Sequence, residues 1–163
     1  MSAFNSSSLV LVGLVTGLWT TTAFAQEVRP SYGPTVNLAT AKKLAASAIT
    51  EAQKNNWNIA VAIVDNHGFL VYYEMMDDTQ TGSAGVAIDK ARSSAMFRRP
   101  TRAFEDAINK GGRPSVLSLS GATAISGGMP IAIGGKIVGG IGVSGVTADQ
   151  DEQVAKAGLE GAK

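Results

Sequence analysis

Two spacings of hydrophobic residues alternate along the chain and predict helices and strands in turn. Apolar residues repeat at three- and four-residue intervals in four segments, the spacing of one buried helix face. Asn37 supplies an N-cap for the first segment and Thr101 for the third, while Thr147 and Gln150 form a capping box before the last. Pro100 separates the second segment from the third. The predicted helices cover residues 38–54, 83–96, 101–109 and 148–159.

Short apolar runs bounded by turn residues predict two β-hairpins. The predicted strands are residues 59–64 and 69–74 around a turn at 65–68, and residues 130–133 and 137–143 around a Gly-Gly turn. Hairpins build an antiparallel sheet, and helices at both ends of the chain must cover its faces. The sequence therefore predicts an α+β fold, a central antiparallel sheet of about five strands with helices packed on it.

The first 25 residues have the composition of an export signal. The apolar run from Leu9 to Trp19 is too short to span a bilayer, which takes about 20 residues. Ala23 and Ala25 form a small-x-small cleavage site, although no Lys or Arg precedes the run. We expect a periplasmic or secreted protein without membrane contact after cleavage. The predicted organisation is a signal peptide at 1–25, an irregular arm at 26–36 and a single domain at 37–163.

Composition removes many of the usual catalytic chemistries. The chain has 163 residues, enough for one domain, with a net charge of +1, no cysteine and one histidine, His67. No segment is dominated by Lys and Arg, so a nucleic acid partner is not expected. Thiolate catalysis, structural zinc and sites with several imidazoles are excluded. His67 is interpreted as an exposed turn residue and not as a ligand.

Two acidic pairs and a glycine-rich motif have a structural and a functional interpretation. Asp77-Asp78 and Asp151-Glu152 offer oxygen ligands to a hard cation, but are interpreted as a solvated loop and the charged face of the last helix. Residues 140–145 match G-x-G-x-x-G, yet too little chain follows for a dinucleotide-binding unit. Glycines there let a strand approach a helix or another subunit closely. Alternatively, the backbone N–H groups of residues 144–147 would hold a carboxylate.

The segment from residue 90 to 101 combines cations, hydroxyls and apolar side chains. Its cations are Lys90, Arg92, Arg98 and Arg99, and its apolar residues include Met96 and Phe97. A flat, apolar ligand with carboxylate arms would suit this mixture, because arginine binds carboxylates in a bidentate manner. A basic helix end that stabilises its own dipole explains the charges equally well. The residues themselves leave both interpretations open.

Several sequence blocks resemble one known family. Residues 134–145 (GGKIVGGIGVSG) and 149–155 (DQDEQVA) resemble the last block of the GlcG/HbpS-like family, which includes the C-terminal domain of the PduO cobalamin adenosyltransferases. Asp65 and Gly68 stand at its V-D-x-x-G block, and residues 90–92 at its K-A-R block. The resemblance covers about residues 38–159.

The resemblance implies an α+β fold, homo-oligomers of dimer size or larger, and a small-molecule ligand. That ligand is haem, with corrinoid binding or redox sensing in some members. Thr101 stands where a threonine of the family is associated with the haem iron, so it is the implied metal ligand. The first helix lacks histidine, which excludes a histidine-ligated haem on that helix. The predicted cofactor-binding residues are Thr101, Lys90, Arg92, Arg99, Phe97 and Ser144.

Two functions follow from these residues. The leading hypothesis is an exported haem- or tetrapyrrole-binding protein for uptake, sequestration or redox sensing. The alternative is a small-molecule enzyme, or an accessory protein, of organic-acid or aromatic catabolism. Lys90 would be its base, Arg92 and Arg99 would hold a substrate carboxylate, and Ser144 or Thr147 would lie nearby. A basic lysine requires a pKa lowered by burial. A haem-sized cleft beside Thr101 favours binding, and a closed polar pocket around Lys90 favours catalysis.

Overall fold

The computed structural model describes residues 29–161, so the predicted signal peptide lies outside the described residues. The helices are α1 (Leu38–Lys54), α2 (Ser83–Phe97), α3 (Arg102–Asn109) and α4 (Ala148–Glu160), with a 3-10 turn at Pro114–Ser118. The strands are β1 (Ala60–Asp65), β2 (Leu70–Met75), β3 (Gly128–Ile133) and β4 (Lys136–Ser144). In this part of the chain, no helix is long and apolar enough to cross a membrane.

The strands form one sheet in the order β2-β1-β4-β3, and every neighbouring pair is antiparallel. The α+β class is confirmed, but residues 29–161 contain four strands where about five were predicted. The N-terminal arm adds only a single parallel bridge between Tyr32 and Ile137. Gly33 N–H and Val36 N–H donate to the carbonyls of Ile137 and Val138, each at 2.8 Å, and hold the arm against β4.

The two faces of the sheet bury different side chains. Helices α1 and α4 cover one face, which we call the aliphatic face; its core residues include Leu44, Val61, Ile63, Ile141, Val143 and Val154. Helix α2 covers the other, which we call the small-residue face; its core residues are Ala60, Ala62, Val64, Ala87, Ala91 and Ala95, with Gly140 and Gly142 of β4. The period-two alternation of a strand places these two sets on opposite sides of β1 and β4.

The glycines of β4 bring α2 unusually close to the sheet. A β-carbon at Gly142 would lie 2.0 Å from the carbonyl oxygen of Ala87, and one at Gly140 would lie 2.4 Å from that of Ala91. Neither distance leaves room for a methyl group. The interpretation of these glycines as close-packing residues is therefore confirmed.

Two of the three predicted helix caps make capping hydrogen bonds. The Asn37 side chain accepts a hydrogen bond from the Thr40 N–H at 2.8 Å, and the Thr147 capping box is complete. Thr101 stands at the N-cap position of α3, as predicted, but its side chain makes no capping hydrogen bond. Thr101 already has helical dihedrals, and its hydroxyl instead accepts a hydrogen bond from Gly128 N–H at 3.0 Å. This hydroxyl therefore ties the start of α3 to β3.

Candidate functional site

Lys90 lies inside the protein, on the side of α2 that faces the sheet. Its side chain is 1% exposed, and its Nζ donates to Asp151 Oδ2 at 2.7 Å and to the Val143 carbonyl at 3.0 Å. A β-carbon at Gly127 would lie 2.9 Å from Lys90 Nζ. Lys90 and Asp151 thus form a closely packed ion pair between α2 and α4. The interpretation of Asp151 as part of a solvated helix face is wrong, because the carboxylate is the partner of a buried cation.

Asp151 also occupies the backbone N–H groups at the start of α4. Its Oδ1 accepts a hydrogen bond from Val146 N–H at 3.2 Å, while Gln150 Oε1 accepts one from Thr147 N–H at 3.1 Å. Burial raises the pKa of Asp151, and the Lys90 ammonium and the Val146 N–H oppose this only in part. The N–H groups that the sequence offered to a ligand carboxylate are thus taken by the protein's own side chains.

Glu152 is buried as well and links α3 to α4. It accepts a hydrogen bond from Arg102 and pairs with Lys156, and Arg102 also binds Asp149. Burial alone would raise the pKa of Glu152, but Lys156 and Arg102 outweigh it and hold that pKa below its usual value of 4.5. The expected solvated acid pair is therefore two buried carboxylates with different cation partners.

Thr101 lies next to Lys90 beneath the first residue of β3. It has no exposed surface, and a β-carbon at Gly128 would lie 2.6 Å from Thr101 Cγ2 and 2.4 Å from the Lys90 carbonyl oxygen. The Thr101 hydroxyl is engaged with Gly128 N–H. These contacts leave no space for a planar macrocycle against Thr101 in this structure.

The other predicted site residues lie in separate environments. The Phe97 ring packs edge-on against Phe104 at 5.2 Å between centroids, and the Arg99 guanidinium lies 4.6 Å from the centre of the Phe104 ring. Ser144 is buried, and its hydroxyl donates to Ser83 Oγ at 3.2 Å. The structure brings Thr101 and Lys90 together, and Phe97 with Arg99, but it does not gather all six predicted residues on one surface.

An open pocket of about 370 Å³ lies beside the C-terminal end of α2. Its walls come from three segments: Tyr32 from the arm, Asn66 and His67 from the β1–β2 turn, and Met96 from α2. The Tyr32 hydroxyl donates to the Met96 carbonyl at 2.7 Å, which holds the arm against α2. The exposed residues at its mouth include the chain's one histidine and Met96, which is 47% exposed.

The turn that carries His67 is held in place by hydrogen bonds from both sides. Asp65 Oδ1 accepts from His67 N–H and Phe69 N–H, each at 2.9 Å, and Arg92 Nε donates to the Gly68 carbonyl at 2.9 Å. Gly68 has φ of 89° and packs against Met96, whose Sδ would lie 3.2 Å from a β-carbon there. The turn backbone that carries His67 is therefore well defined, and His67 and Met96 line the same pocket.

Asn66 lines this pocket, and two arginines contact the segments that line it. Asn66 Nδ2 donates to the Gly33 carbonyl at 2.7 Å, whereas its buried Oδ1 accepts no hydrogen bond from residues 29–161. The Arg98 guanidinium lies 5.1 Å from the Tyr32 ring centre, and the Arg92 side chain is 47% exposed beside the turn. The pocket is thus lined by apolar and polar side chains, and two arginines contact the segments that line it.

The chemistry of this pocket is that of a small-molecule site with metal-binding donors. Its volume lies within the range of about 300–1,000 Å³ that is usual for ligand pockets. Imidazole nitrogen and thioether sulfur are both ligands of haem iron in proteins. Among residues 29–161 there is no group of three or more His, Asp or Glu side chains placed to hold a free metal ion. A metal bound in this pocket would therefore take most of its ligands from the molecule that carries it.

Sequence reasoning did not find this pocket. The signals present were a single histidine in a turn with Asn66, and a methionine near the end of a predicted helix. The sequence assigned His67 to an exposed turn, where the structure places it. Tyr32 was assigned to an irregular arm, and only the tertiary structure brings it to Met96.

Comparison with known proteins places the chain among proteins connected with haem. The model of the family described as haem degrading protein HbpS-like matches residues 36–160. Protein GlcG of Escherichia coli (strain K12) is 40% identical over 104 residues, which are 64% of this chain and 77% of GlcG.

Two solved structures have the same fold. A double mutant of HbpS from Streptomyces reticuli aligns with a TM-score of 0.72 and 27% identity over 89% of this chain and 97% of that one. A second structure, the complex of PduOC with haem, aligns with a TM-score of 0.70 and 25% identity over 78% of this chain and 94% of its own. The match of the family model over residues 36–160 shows that the chain belongs to the HbpS-like family.

Proposed function

We propose that this protein binds haem. The observation that carries the proposal is the match of the HbpS-like family model over residues 36–160, and an open, mostly apolar pocket lined by Tyr32, His67 and Met96 supports it. Haem needs apolar contact for its ring, cations for its propionates and a donor for its iron. The PduOC relative forms a complex with haem in a similar fold, which supports the same ligand class for this chain.

The residues at the pocket fit haem better than those around Thr101. A macrocycle beside Thr101 would have to separate Gly128 from both Thr101 and Lys90, which are in close contact. The pocket of Tyr32 and Met96 is open and requires no such rearrangement. When bound, haem would supply the iron, and the chain would supply contact surface and charge.

Arg92 and Arg98 are the proposed partners of the propionates. Arg92 retains one weak contact to Asp89 at 3.9 Å and is half-exposed, so part of its guanidinium is accessible to a ligand carboxylate. Arg98 stacks on Tyr32 and donates to the Pro30 carbonyl at 3.1 Å, which fixes its direction. Arginine binds carboxylates through two parallel hydrogen bonds, so a guanidinium is suited to a propionate.

Titration of the purified protein with haemin tests this proposal. We expect a shifted Soret band that saturates at micromolar protein, and weaker binding when Arg92→Gln and Arg98→Gln are combined. Lys110→Gln is a matched control, because Lys110 is an exposed cation paired only with Asp106 in its own helix segment. No spectral change at micromolar protein would contradict haem binding.

The enzyme hypothesis receives less support from the geometry. A general base must reach a substrate proton, and Lys90 Nζ is buried and donates to Asp151 and the Val143 carbonyl. Binding is therefore the proposed activity, with haem as the ligand. A corrinoid remains an alternative tetrapyrrole through the PduO relative, and cobalamin in place of haemin in the same titration distinguishes the two.

We also propose that the protein is exported and that it assembles into homo-oligomers which take up, sequester or sense haem. The apolar run and the Ala23–Ala25 cleavage site support export. Mass spectrometry of the periplasmic fraction should find a chain that begins at Gln26, and a chain beginning at Met1 would oppose export. Light scattering on that chain, with and without haemin, measures its assembly.

A further inference from the structure

We propose that two copies of this chain associate through the outer face of α2, with the two α2 helices packed antiparallel about a twofold axis. The outer face is the side of α2 that is turned away from the sheet, and its residues are Val86, Asp89, Arg92 and Met96. The inference rests on the homo-oligomer proposed above and specifies its contact surface. The association that it describes requires no haem.

The outer face carries apolar side chains that the fold leaves uncovered. At 3.6 residues per turn, its four residues lie within about 120° of one another around the helix axis. They lie opposite Ala87, Ala91 and Ala95, which are buried against the sheet. Val86 and Met96 are nonetheless apolar, and they are 36% and 47% exposed. Apolar residues on both sides of a helix indicate contacts on both sides.

The turn between β1 and β2 extends this apolar surface. A β-carbon at Gly68 would lie 3.2 Å from Met96 Sδ, so the turn borders the outer face. The next two residues, Phe69 and Leu70, are 71% and 47% exposed. Leu70 pairs with Val64 and therefore lies on the side of the sheet that α2 covers. A stable interface buries about 1,600 Å² in total, more than one helix face supplies, and these two residues add to that area.

The charges of the outer face identify the partner as a second copy of the chain. Asp89 and Arg92 lie between the two apolar residues, and their side chains are 63% and 47% exposed. Within one chain, Arg92 Nη1 and Asp89 Oδ1 are 3.9 Å apart, which is longer than a hydrogen bond. Arg92 Nε donates to the Gly68 carbonyl, which leaves the two terminal nitrogens for carboxylates. An acid and a base exposed on one face make that face complementary to itself.

The spacing of these residues fits a twofold axis. The midpoint of Val86 and Met96 falls at residue 91, and the midpoint of Asp89 and Arg92 falls between residues 90 and 91. A twofold axis through this point places Asp89 of each copy opposite Arg92 of the other, and Val86 of each copy opposite Met96 of the other. The antiparallel pair therefore has two ion pairs at its centre and an apolar contact at each end. A parallel pair would place like charges opposite each other, which is unfavourable.

Light scattering and analytical ultracentrifugation without haemin test the surface. We expect wild type to form dimers, or larger assemblies built from dimers. Asp89→Arg should weaken the association about tenfold or more, or about 1.4 kcal/mol, because it brings four arginines together. Asp77→Arg is the matched control: it makes the same charge change on an exposed residue that lies beside Ile49 and Gln53 of α1, on the other side of the sheet. It should leave the association unchanged.

Disulfide cross-linking tests the antiparallel register. The chain has no cysteine, so a single introduced thiol can react only with a thiol of another copy. A mixture of Val86→Cys chains and Met96→Cys chains should form linked dimers on oxidation with copper phenanthroline. Neither variant should do so alone, because its two thiols would lie about 15 Å apart along the helices, too far for a disulfide.

The outcomes separate this surface from haem binding. If wild type is monomeric at micromolar protein, the surface and the homo-oligomer both fail, whatever the haemin titration gives. If wild type associates but Asp89→Arg behaves like Asp77→Arg, or if single-cysteine chains cross-link as readily as the mixture, the copies meet in another way. The proposed surface is then overturned while the homo-oligomer stands. If Asp89→Arg alone weakens the association and haemin does not bind, the surface stands and haem binding fails.

Discussion

The two faces of the sheet are stabilised in different ways. On the aliphatic face, branched side chains of β1 and β4 fill the volume beneath α1 and α4. On the small-residue face, alanine and glycine bring the backbones of α2 and β4 into contact, and the paired Lys90 is the largest fully buried side chain of α2. The packing of the aliphatic face is stabilised by the amount of apolar surface that it buries. The packing of the small-residue face depends on the close approach of α2 to β4 and on one pair of opposite charges.

The largest effect is expected from breaking the buried ion pair. Asp151→Ala leaves the Lys90 ammonium buried without a carboxylate, so it should reduce the free energy of unfolding by about 3–5 kcal/mol. Urea denaturation measures this loss. The double variant Lys90→Met with Asp151→Leu should recover most of it, because an apolar pair needs no charge partner. A double variant as unstable as Asp151→Ala would show that the polar contacts of Val143 and Val146 matter more.

The second-largest loss of stability is expected from adding a methyl group to the small-residue face. Gly142→Ala places a β-carbon 2.0 Å from the Ala87 carbonyl oxygen, so α2 must move and stability should fall by about 3 kcal/mol. Gly85→Ala is the matched control, because it adds the same methyl group to α2, the helix that Gly142 approaches, and nothing lies within 4 Å of a β-carbon there. It should raise the free energy of unfolding by about 0.5–1 kcal/mol. Equal denaturation midpoints for the two variants would refute close packing as the cause.

The aliphatic face should tolerate the loss of a single methylene group. Ile63→Val removes one carbon from a buried side chain in a core of many branched residues, so the expected cost is about 1 kcal/mol. Thermal denaturation followed by circular dichroism is sufficient to detect it. A cost above that of Gly142→Ala would reverse the contrast drawn between the two faces.

The smallest expected effect is a change in pH dependence. The lowered pKa of Glu152 means that its carboxylate stabilises the fold above the usual value of 4.5, and this contribution is lost as the pH falls through the lower folded-state value. Glu152→Gln should therefore be less stable than wild type at pH 7, by about 1 kcal/mol or less, because Arg102 and Lys156 are partly exposed. The difference should vanish in acid. A gap of constant size from pH 7 to pH 3 would exclude Glu152 as its source.

Local signals in the sequence were sufficient for most of the elements. The Asn37 cap, the Thr147 capping box and the Gly134-Gly135 turn each act through neighbours only a few residues away, so they were readable from the chain alone. The failures have a common cause. From neighbouring residues alone, Thr101 is expected to make a capping hydrogen bond and Asp151 to lie on a solvated helix face. In the structure the Thr101 hydroxyl accepts a hydrogen bond from Gly128 and Asp151 pairs with Lys90, and both partners are far along the chain.

The candidate site could be predicted only in part. Arg92 was singled out by the sequence and lies at the pocket, but His67 was assigned to solvent and Met96 was considered only as an apolar neighbour. The pocket is formed where an arm, a turn and a helix end meet. No spacing within any one of these segments carries information about the other two.

What the amino-acid sequence determined by itself is the set of helices and strands, the α+β class and the chemistry that is absent. Hydrophobic periodicity and capping act over a few residues, so they do not depend on the rest of the fold. What the tertiary structure decided is which charges are buried and which donors meet. Lys90 and Asp151 are 61 residues apart, as are Ser83 and Ser144, and only the packing of α2 against β4 and α4 brings these pairs together. Burial then decides the role of Lys90 and Asp151, because a charged group that is removed from water requires a partner of opposite charge or a hydrogen bond.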